Sequence, residues 1–196
     1  MTEIRFAGYG GQGIIRSGII IGKAASLFDD KFATMNQSFG PEARGGACSA
    51  QVIVSDDRIL YPYVTTPNIL VAMSQEGYTK YEPELGEQGL LLIDEDLVQL
   101  QPPGEKVKLF SIPATRFAEE LGNRIIANVV MLGFFTAVTS VVSAKAMREA
   151  IPSLVPQRFV ELNLNAFDRG YEYGREQLSE KKKRVKAKAA ARRSKK

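Results

Sequence analysis

Apolar residues recur along the chain with two different periods, and their alternation predicts the fold. Residues 3–8 form a short apolar-rich run typical of a buried strand, and residues 13–28 place apolar side chains three and four positions apart, as a helix does. Further strands are indicated at 31–37, 48–55, 68–74, 89–96 and 106–113, with 58–64 as a candidate hairpin partner of 48–55. Helical patterns follow at 114–122, 123–142, 143–151 and 157–178. Strands that alternate with helices predict an α/β fold with a mainly parallel, Rossmann-like sheet and helices on both faces.

The chain divides into a folded body and a basic tail. Its 196 residues are 44% apolar, which suits one α/β domain, assigned to residues 1–178. Residues 179–196 hold ten Lys/Arg and one Glu, a balance of +9, whereas the other 178 residues hold sixteen Lys/Arg and twenty-one Asp/Glu, a balance of −5. The tail is expected to be a solvated extension of the last helix or disordered, or to lie on an acidic neighbouring subunit. Nucleic-acid binding is disfavoured because the tail has no aromatic residue to stack on bases.

Missing residue types exclude several kinds of site. The chain has no histidine, no tryptophan and one cysteine, so it cannot form a Ser-His-Asp triad, a zinc ribbon or an internal disulfide. One thiol also cannot ligate an iron–sulfur cluster alone. We therefore expect no catalytic residue and no metal ligand in this chain. The cysteine usage and the lack of a signal-type leader indicate the cytoplasm.

One apolar stretch is long enough to raise the question of a membrane helix. Residues 125–142 carry no charge over eighteen positions, which is the short limit for a membrane span. The stretch also contains Asn128, Gly133 and several hydroxyl residues. These residues favour a helix buried inside the protein.

A glycine cluster joins the first strand to the first helix. Gly8, Gly10 and Gly13 satisfy the pattern G-x-G-x-x-G, with Gly11 and Gln12 between them. Glycines permit a tight turn and a close backbone approach to phosphates, and the free N–H groups of the following helix attract an anion. We therefore assign these five residues to a binding site for a phosphate-bearing ligand, with a turn needed only for packing as the alternative.

The acid that an NAD site requires is not where it should be. NAD binding uses an acidic residue at the end of the second strand to hold the ribose hydroxyls. Here Asp29 and Asp30 precede that strand, which ends in Asn36 and Gln37. This departure argues against ordinary NAD binding.

A second glycine-rich loop follows the second strand, over residues 38–46. In a parallel sheet this loop lies at the same carboxyl edge as the first one, where ligands bind. Arg44, beside Gly45 and Gly46, can hold a phosphate or carboxylate with two hydrogen bonds, and Glu42 could pair with Arg44. A surface turn with a solvated ion pair is the alternative.

Other conspicuous residues are expected to serve structure. Cys48 should be a small buried residue, and the acids at 94–96 should mark a charged strand end. Aromatic residues at helical spacing in the C-terminal half should lie in the core or at a subunit interface, namely Phe134, Phe135, Phe159, Phe167, Tyr171 and Tyr173.

Several segments together resemble a known family. GYGGQG near the start and QSFGPEARGGACSAQVIVSD after it are similar to the gamma subunit of the 2-oxoacid:ferredoxin oxidoreductases. NILVAMSQEGY, IPATRFAEELGNRIIANVVMLG and NLNAFDRG extend the resemblance over residues 3–175. The 2-oxoglutarate type is the most similar, with the pyruvate, branched-chain 2-oxoacid and indolepyruvate types as alternatives. Phe39 and Asn68 depart from the family, which often has Tyr and Asp at these positions.

The resemblance implies the chemistry. Such enzymes convert a 2-oxoacid and coenzyme A to an acyl-CoA and carbon dioxide and send two electrons to ferredoxin. Thiamine diphosphate, magnesium and iron–sulfur clusters belong to the partner alpha and beta subunits and a ferredoxin-like subunit, so a gamma subunit alone should be inactive. Its glycine loop, with Arg44, Gly45 and Gly46, should contact coenzyme A or dock on the catalytic subunits.

Two other classes of protein remain open from the sequence. A free-standing flavin or nicotinamide oxidoreductase would bind a dinucleotide in the glycine loop. A nucleic-acid-binding module would depend on the basic tail.

Overall fold

The structure is a computed structural model that describes residues 1–39, 47–100 and 107–193, with side chains described through residue 183. The strands are β1 (Thr2–Tyr9), β2 (Phe32–Ser38), β3 (Ala47–Ser55), β4 (Ile69–Ala72), β5 (Leu90–Asp94) and β6 (Lys108–Ile112). The helices are α1 (Ile14–Lys23), α2 (Gln75–Tyr81), α3 (Ala114–Glu120), α4 (Ala127–Thr139), α5 (Ala144–Ala150) and α6 (Val160–Arg193). A π-helical turn, Ala24–Phe28, extends α1, and a 3-10 turn, Arg124–Ile126, leads into α4.

Six strands form one sheet in the order β2-β3-β1-β4-β5-β6. Strands β1, β4, β5 and β6 are parallel, whereas β3 is antiparallel to both of its neighbours. The prediction of a mainly parallel α/β sheet is therefore confirmed. Because two antiparallel pairings separate β2 from β1, these two strands run in the same direction. Tyr9 pairs with Ala47 and Ser38 pairs with Ser49, so β1 and β2 end at the same edge, as expected.

The prediction that residues 58–64 form a hairpin with β3 is wrong. Residues 58–64 form no strand, and β3 forms its hairpin with the preceding strand, β2. The 58–64 segment instead passes beside β2, where the Asn36 amide donates to the Pro62 carbonyl at 2.7 Å. The proline has no N–H to offer a strand ladder, which explains why this apolar run stays irregular.

Helices cover both faces of the sheet, as predicted. Helix α1 packs across β1, β2 and β3 on one face, where Phe135 of α4 meets Phe6 edge to face at 5.6 Å. Helix α2 covers the other face, over Ala7, Leu70 and Ala72. Helix α4 is buried along nearly its whole length. This confirms the prediction that the apolar stretch 125–142 forms a helix inside the protein. Within the described residues, no helix is long and apolar enough to cross a membrane.

Helices α4 and α6 approach each other through glycine. A methyl group added to Gly133 would lie 1.9 Å from the Phe167 carbonyl oxygen, and one added to Gly170 would lie 1.9 Å from the Val130 carbonyl oxygen. These obstacles are backbone atoms, which cannot turn aside as a flexible side chain can. The two glycines therefore fix the distance between the helices.

Further along, α6 covers the edge of the sheet that is formed by β6. Gln177 donates to the Ser111 carbonyl at 2.8 Å, and Lys181 donates to the Leu109 carbonyl at 3.0 Å. These carbonyls belong to β6, whose outer edge would otherwise be open to pairing with another strand. Helix α6 continues to Arg193, so residues 179–193 of the basic tail are an extension of the last helix.

We expect Gly170→Ala to lower the free energy of unfolding by about 3 kcal/mol or more, since the new methyl group overlaps backbone of α4. Urea unfolding followed by circular dichroism measures this loss. Gly22→Ala is the matched control, because a methyl group there meets no atom within 4 Å. Gly22→Ala should raise the free energy of unfolding by roughly 0.5–1 kcal/mol, because it removes a glycine from a helix. Equal stability of the two variants would contradict the close approach of α4 and α6.

Candidate functional site

The glycine loop turns the chain from the end of β1 into α1. Gly13 has φ +75° and stands at the start of the helix in a left-handed conformation that side chains disfavour. Gly8 is required for space, because a methyl group there would lie 2.5 Å from the Gln12 side-chain oxygen. The glycines thus serve both backbone conformation and close packing, as the motif predicts.

Gln12 holds the loop from inside. Its side-chain Oε1 accepts from the Tyr9 N–H at 2.7 Å, and its Nε2 donates to the Met73 carbonyl at 2.9 Å. Its own N–H donates to the Tyr9 carbonyl at 3.2 Å. Gln12 therefore ties the loop to the carboxyl end of β4, and its amide groups are already engaged.

Asn128, which sequence reasoning did not assign to the site, lies under the loop. Its Nδ2 lies 3.3 Å from both the Gly13 carbonyl and the Ser17 hydroxyl. A methyl group on Gly13 would lie 2.6 Å from the same nitrogen. The sequence signal was a lone amide in the first turn of an otherwise apolar helix.

Three backbone donors of the loop have no acceptor among the described residues. Within the described residues, no hydrogen bond is accepted from the N–H groups of Gly10, Gly11 or Gly13. Gly10 and Gly11 are exposed, and α1 begins directly after Gly13. Free N–H groups at the positive end of a helix dipole form a binding site for an anion.

Three clefts open around this loop and meet at Ile125, which is 71% exposed. The first, of about 310 Å³, is lined by Gly10, Gly11, Gly13, Arg16, Phe39 and Cys48 among others. The second, of about 230 Å³, lies between the first turn of α4 and the start of α6. The third, of about 210 Å³, runs from Gly11 past Gln12 and Met73 to Thr115 and Arg124.

The charged residues that line these clefts are all basic, although the body of the chain is acidic. Arg16 and Arg124 line them, and no aspartate or glutamate is among their described lining residues. Arg124 lies 3.7 Å from Glu119, whereas Arg16 is exposed and pairs with no acid in the described part of the chain. The region therefore favours a negatively charged ligand.

The predicted site residues Arg44, Gly45 and Gly46 lie outside the described residues, as does Glu42. The strands that flank them are described, and β2 ends at Ser38 and β3 begins at Ala47 at the edge that carries the glycine loop. Phe39, just after β2, lines the first cleft and is 65% exposed.

The acidic residues near this edge are used for structure. Asp94 is fully buried and accepts from the Thr115 N–H at 3.0 Å and the Thr115 hydroxyl at 2.6 Å. Burial raises the pKa of Asp94, and these hydrogen bonds only partly offset that effect. Glu95 accepts from the Ser111 hydroxyl, and Asp96 pairs with Arg116 at 2.6 Å. The prediction of a charged strand end is confirmed.

The aromatic residues at helical spacing divide between the core and the surface. Phe134, Phe135 and Phe167 are fully buried, which confirms the prediction of a core role for them. Phe159 is 37% exposed and lines the second cleft.

The fold and the loop together define a class of protein: an α/β domain with a glycine-rich strand-to-helix loop at the carboxyl edge of its sheet. The chain belongs to the pyruvate ferredoxin/flavodoxin oxidoreductase family, whose sequence profile matches residues 3–173. It is a gamma subunit of a 2-oxoacid:ferredoxin oxidoreductase, a subunit of an oxidoreductase complex.

Individual relatives narrow the type of enzyme. The chain is 49% identical to 2-oxoglutarate synthase subunit KorC of Methanocaldococcus jannaschii, over 89% of this chain and 94% of the relative. The gamma subunit of a keto/oxoacid ferredoxin oxidoreductase from Geobacter sulfurreducens has a TM-score of 0.79 at 43% identity, over 89% of this chain and 98% of that one. These likenesses favour the 2-oxoglutarate type over the pyruvate, branched-chain and indolepyruvate types.

A third relative carries ligands. The 2-oxoglutarate:ferredoxin oxidoreductase of Magnetococcus marinus, solved with 2-oxoglutarate, coenzyme A and succinyl-CoA bound, matches with a TM-score of 0.80 at 25% identity. The match covers 88% of this chain and 31% of that longer chain.

Gln12→Glu should weaken the loop, because the carboxylate keeps the acceptor for Tyr9 but faces the Met73 carbonyl without a proton to donate. We expect a loss of about 1–3 kcal/mol in the free energy of unfolding at pH 7.5. The loss should shrink as the pH falls and the introduced carboxyl is protonated. Urea unfolding at several pH values measures it. Gln88→Glu adds the same charge at an exposed turn and should cost little. A pH-independent loss would contradict the assigned hydrogen bond.

Cys48 should react slowly with iodoacetamide, because it is only 5% exposed and burial raises the pKa of its thiol. The thiolate is the nucleophile, so the rate at pH 8 should be well below that of the urea-unfolded chain and should still be rising above pH 9. Mass spectrometry of timed samples gives the rate. Rapid labelling at pH 7 would show that the thiol is open to solvent.

Proposed function

We propose that this chain forms part of the coenzyme A site of a 2-oxoglutarate:ferredoxin oxidoreductase and docks against its catalytic subunits. The complete enzyme would convert 2-oxoglutarate and coenzyme A to succinyl-CoA and carbon dioxide, and pass two electrons to ferredoxin. Thiamine diphosphate, magnesium and iron–sulfur clusters would be held by alpha and beta subunits and a ferredoxin-like subunit. The assembly would work in the cytoplasm, and this chain would be inactive alone.

The N–H groups of the glycine loop, which are unpaired within the described residues, carry this proposal. Gly10, Gly11 and Gly13 present donors at the positive end of α1, on a cleft whose described walls contain Arg16 and no carboxylate. Coenzyme A has three phosphate groups on its nucleotide half, so it matches a site that collects anion donors. The coenzyme A bound to the Magnetococcus marinus relative supports the same ligand.

The site residues would divide the work between binding and support. The N–H groups of Gly10, Gly11 and Gly13 would contact the phosphates or the pantetheine amides. Gly8 and Gln12 would shape the loop, since the Gln12 amide is engaged with Tyr9 and Met73. Arg44, with Gly45 and Gly46, would close over the same ligand or contact the catalytic subunits.

A dinucleotide oxidoreductase fits the site less well. The Asp29 carboxylate accepts from the N–H and the hydroxyl of Ser143, both at 2.6 Å, and so fixes the start of α5. The Asp29 carboxylate is therefore engaged near the start of β2, at the opposite end of this strand from the loop that follows it. Within the described residues, β2 therefore ends without the acid that would bind a ribose in an NAD site.

Arg44→Ala should raise the apparent KM for coenzyme A about tenfold or more in the assembled enzyme, because an arginine–phosphate hydrogen bond would be lost. Release of carbon dioxide from 2-oxoglutarate in a single turnover without coenzyme A should stay nearly unchanged. Viologen reduction at varied coenzyme A concentration and anaerobic carbon dioxide release give the two values.

Arg58→Ala is the matched control, because Arg58 is exposed just beyond the end of β3, at the opposite edge of the sheet. It should change neither quantity. An unchanged KM for coenzyme A in Arg44→Ala would remove Arg44 from the site, and a loss of decarboxylation would assign it to the catalytic subunits' chemistry instead.

A further inference from the structure

The second cleft adjoins the glycine loop but is built differently from it. Arg16, Ile125 and Asn128 line both this cleft and the first one, so the two share one wall. Its remaining walls come from the start of α4 and from the chain that leads into α6. Its volume of about 230 Å³ lies below the roughly 300–1,000 Å³ of a site for a whole drug-sized ligand. It therefore suits one part of a ligand whose other part lies at the loop.

The walls of the second cleft are mostly apolar and include one aromatic ring. The ring belongs to Phe159, which is 37% exposed. Val129, Val155, Pro156 and Leu162 complete the apolar lining. In this slot the Arg158 guanidinium carbon lies 4.7 Å from the Phe159 ring centroid and covers one face, so a planar ring system can stack on the other face.

Two buried amides give this slot hydrogen-bonding capacity. Asn128 and Asn163 line the cleft and are only 4% and 6% exposed. The Nδ2 of Asn163 donates to the Phe159 carbonyl at 2.8 Å, and that of Asn128 is directed to Gly13 and Ser17. Within the described residues, neither side-chain oxygen accepts a hydrogen bond. Neither oxygen is among the buried unpartnered atoms of the described residues, so both are open to solvent and can accept from a ligand with N–H donors.

We propose that this second cleft binds the adenine ring of coenzyme A, stacked on Phe159, with its exocyclic amine donating to the asparagine oxygens. Arg16, at the junction of the two clefts, then lies where the phosphates between the adenosine and the glycine loop would pass. This inference rests on the proposed function, and it adds the residues that recognise the base.

The test compares two probes in the assembled complex without 2-oxoacid. Coenzyme A contains the adenine ring, whereas 4′-phosphopantetheine lacks the whole adenosine. Phe159→Leu keeps an apolar side chain but removes the ring, and it should raise the Kd for coenzyme A about fivefold or more. The Kd for 4′-phosphopantetheine should not change, and this second value also shows that the variant complex is intact. Equilibrium dialysis under anaerobic conditions measures both.

Phe28→Leu is the matched control, since Phe28 is 40% exposed beyond the far end of α1. It should leave both dissociation constants unchanged. A Phe159→Leu complex that binds coenzyme A as the wild type does, or that loses both probes equally, would overturn the adenine assignment.

A wild-type measurement keeps the test independent of any variant's folding. In 1,N6-etheno-coenzyme A the exocyclic nitrogen is closed into a ring and has no hydrogen to donate. The wild-type complex should bind this analogue about fivefold or more weakly than coenzyme A, and equal affinities would overturn the hydrogen bonds to Asn128 and Asn163.

The two proposals fail in different ways. If Arg44→Ala weakens coenzyme A binding while Phe159→Leu does not, the chain binds coenzyme A but holds the adenine elsewhere. If Arg44→Ala and Arg16→Gln both leave the Kd for coenzyme A unchanged, the proposed function itself fails.

Discussion

The close contact of α4 with α6 is the constraint on which the site depends. Gly133 and Gly170 let backbone meet backbone, so α4 has one depth at which it can lie between α6 and the sheet. That depth places Asn128, in the first turn of α4, against the Gly13 carbonyl. The same amide fills the space that any side chain at Gly13 would need. The shape of the glycine loop is thus set by the packing of a helix that carries no charge.

The sequence predicted the elements well where local pattern decides them. The run from β1 through the glycine loop into α1 follows from apolar periodicity and from the backbone demands of Gly13. The direction of β3 does not follow, because an alternating strand pairs equally well in either sense until its neighbours are known. The 58–64 segment shows the same limit, since its apolar residues resemble a strand while Pro62 prevents a ladder.

Sequence pattern located only the part of the candidate site that lies in one continuous segment. Backbone donors can be located from a glycine motif because the motif itself dictates the turn. Asn128 and Asn163 could not be assigned, because their meaning comes from segments far apart in the chain, whose packing turns two amides toward one cleft. Arg16 is similar, since an exposed arginine in a first helical turn gains significance only from the two clefts that it borders.

The distribution of charge explains how an acidic body can leave clefts without a carboxylate among their described lining residues. Asp94, Glu95 and Asp96 lie near the carboxyl edge, yet their oxygens are taken up by Thr115, Ser111 and Arg116. Asp29 is likewise used to start α5.

With those acids engaged, the charged groups that line the clefts are the arginines Arg16 and Arg124. The fixed backbone donors of the glycine loop suit binding and orientation, since preorganised dipoles need no rearrangement when the ligand arrives. The geometry therefore agrees with a subunit that positions a substrate for chemistry done by its partners.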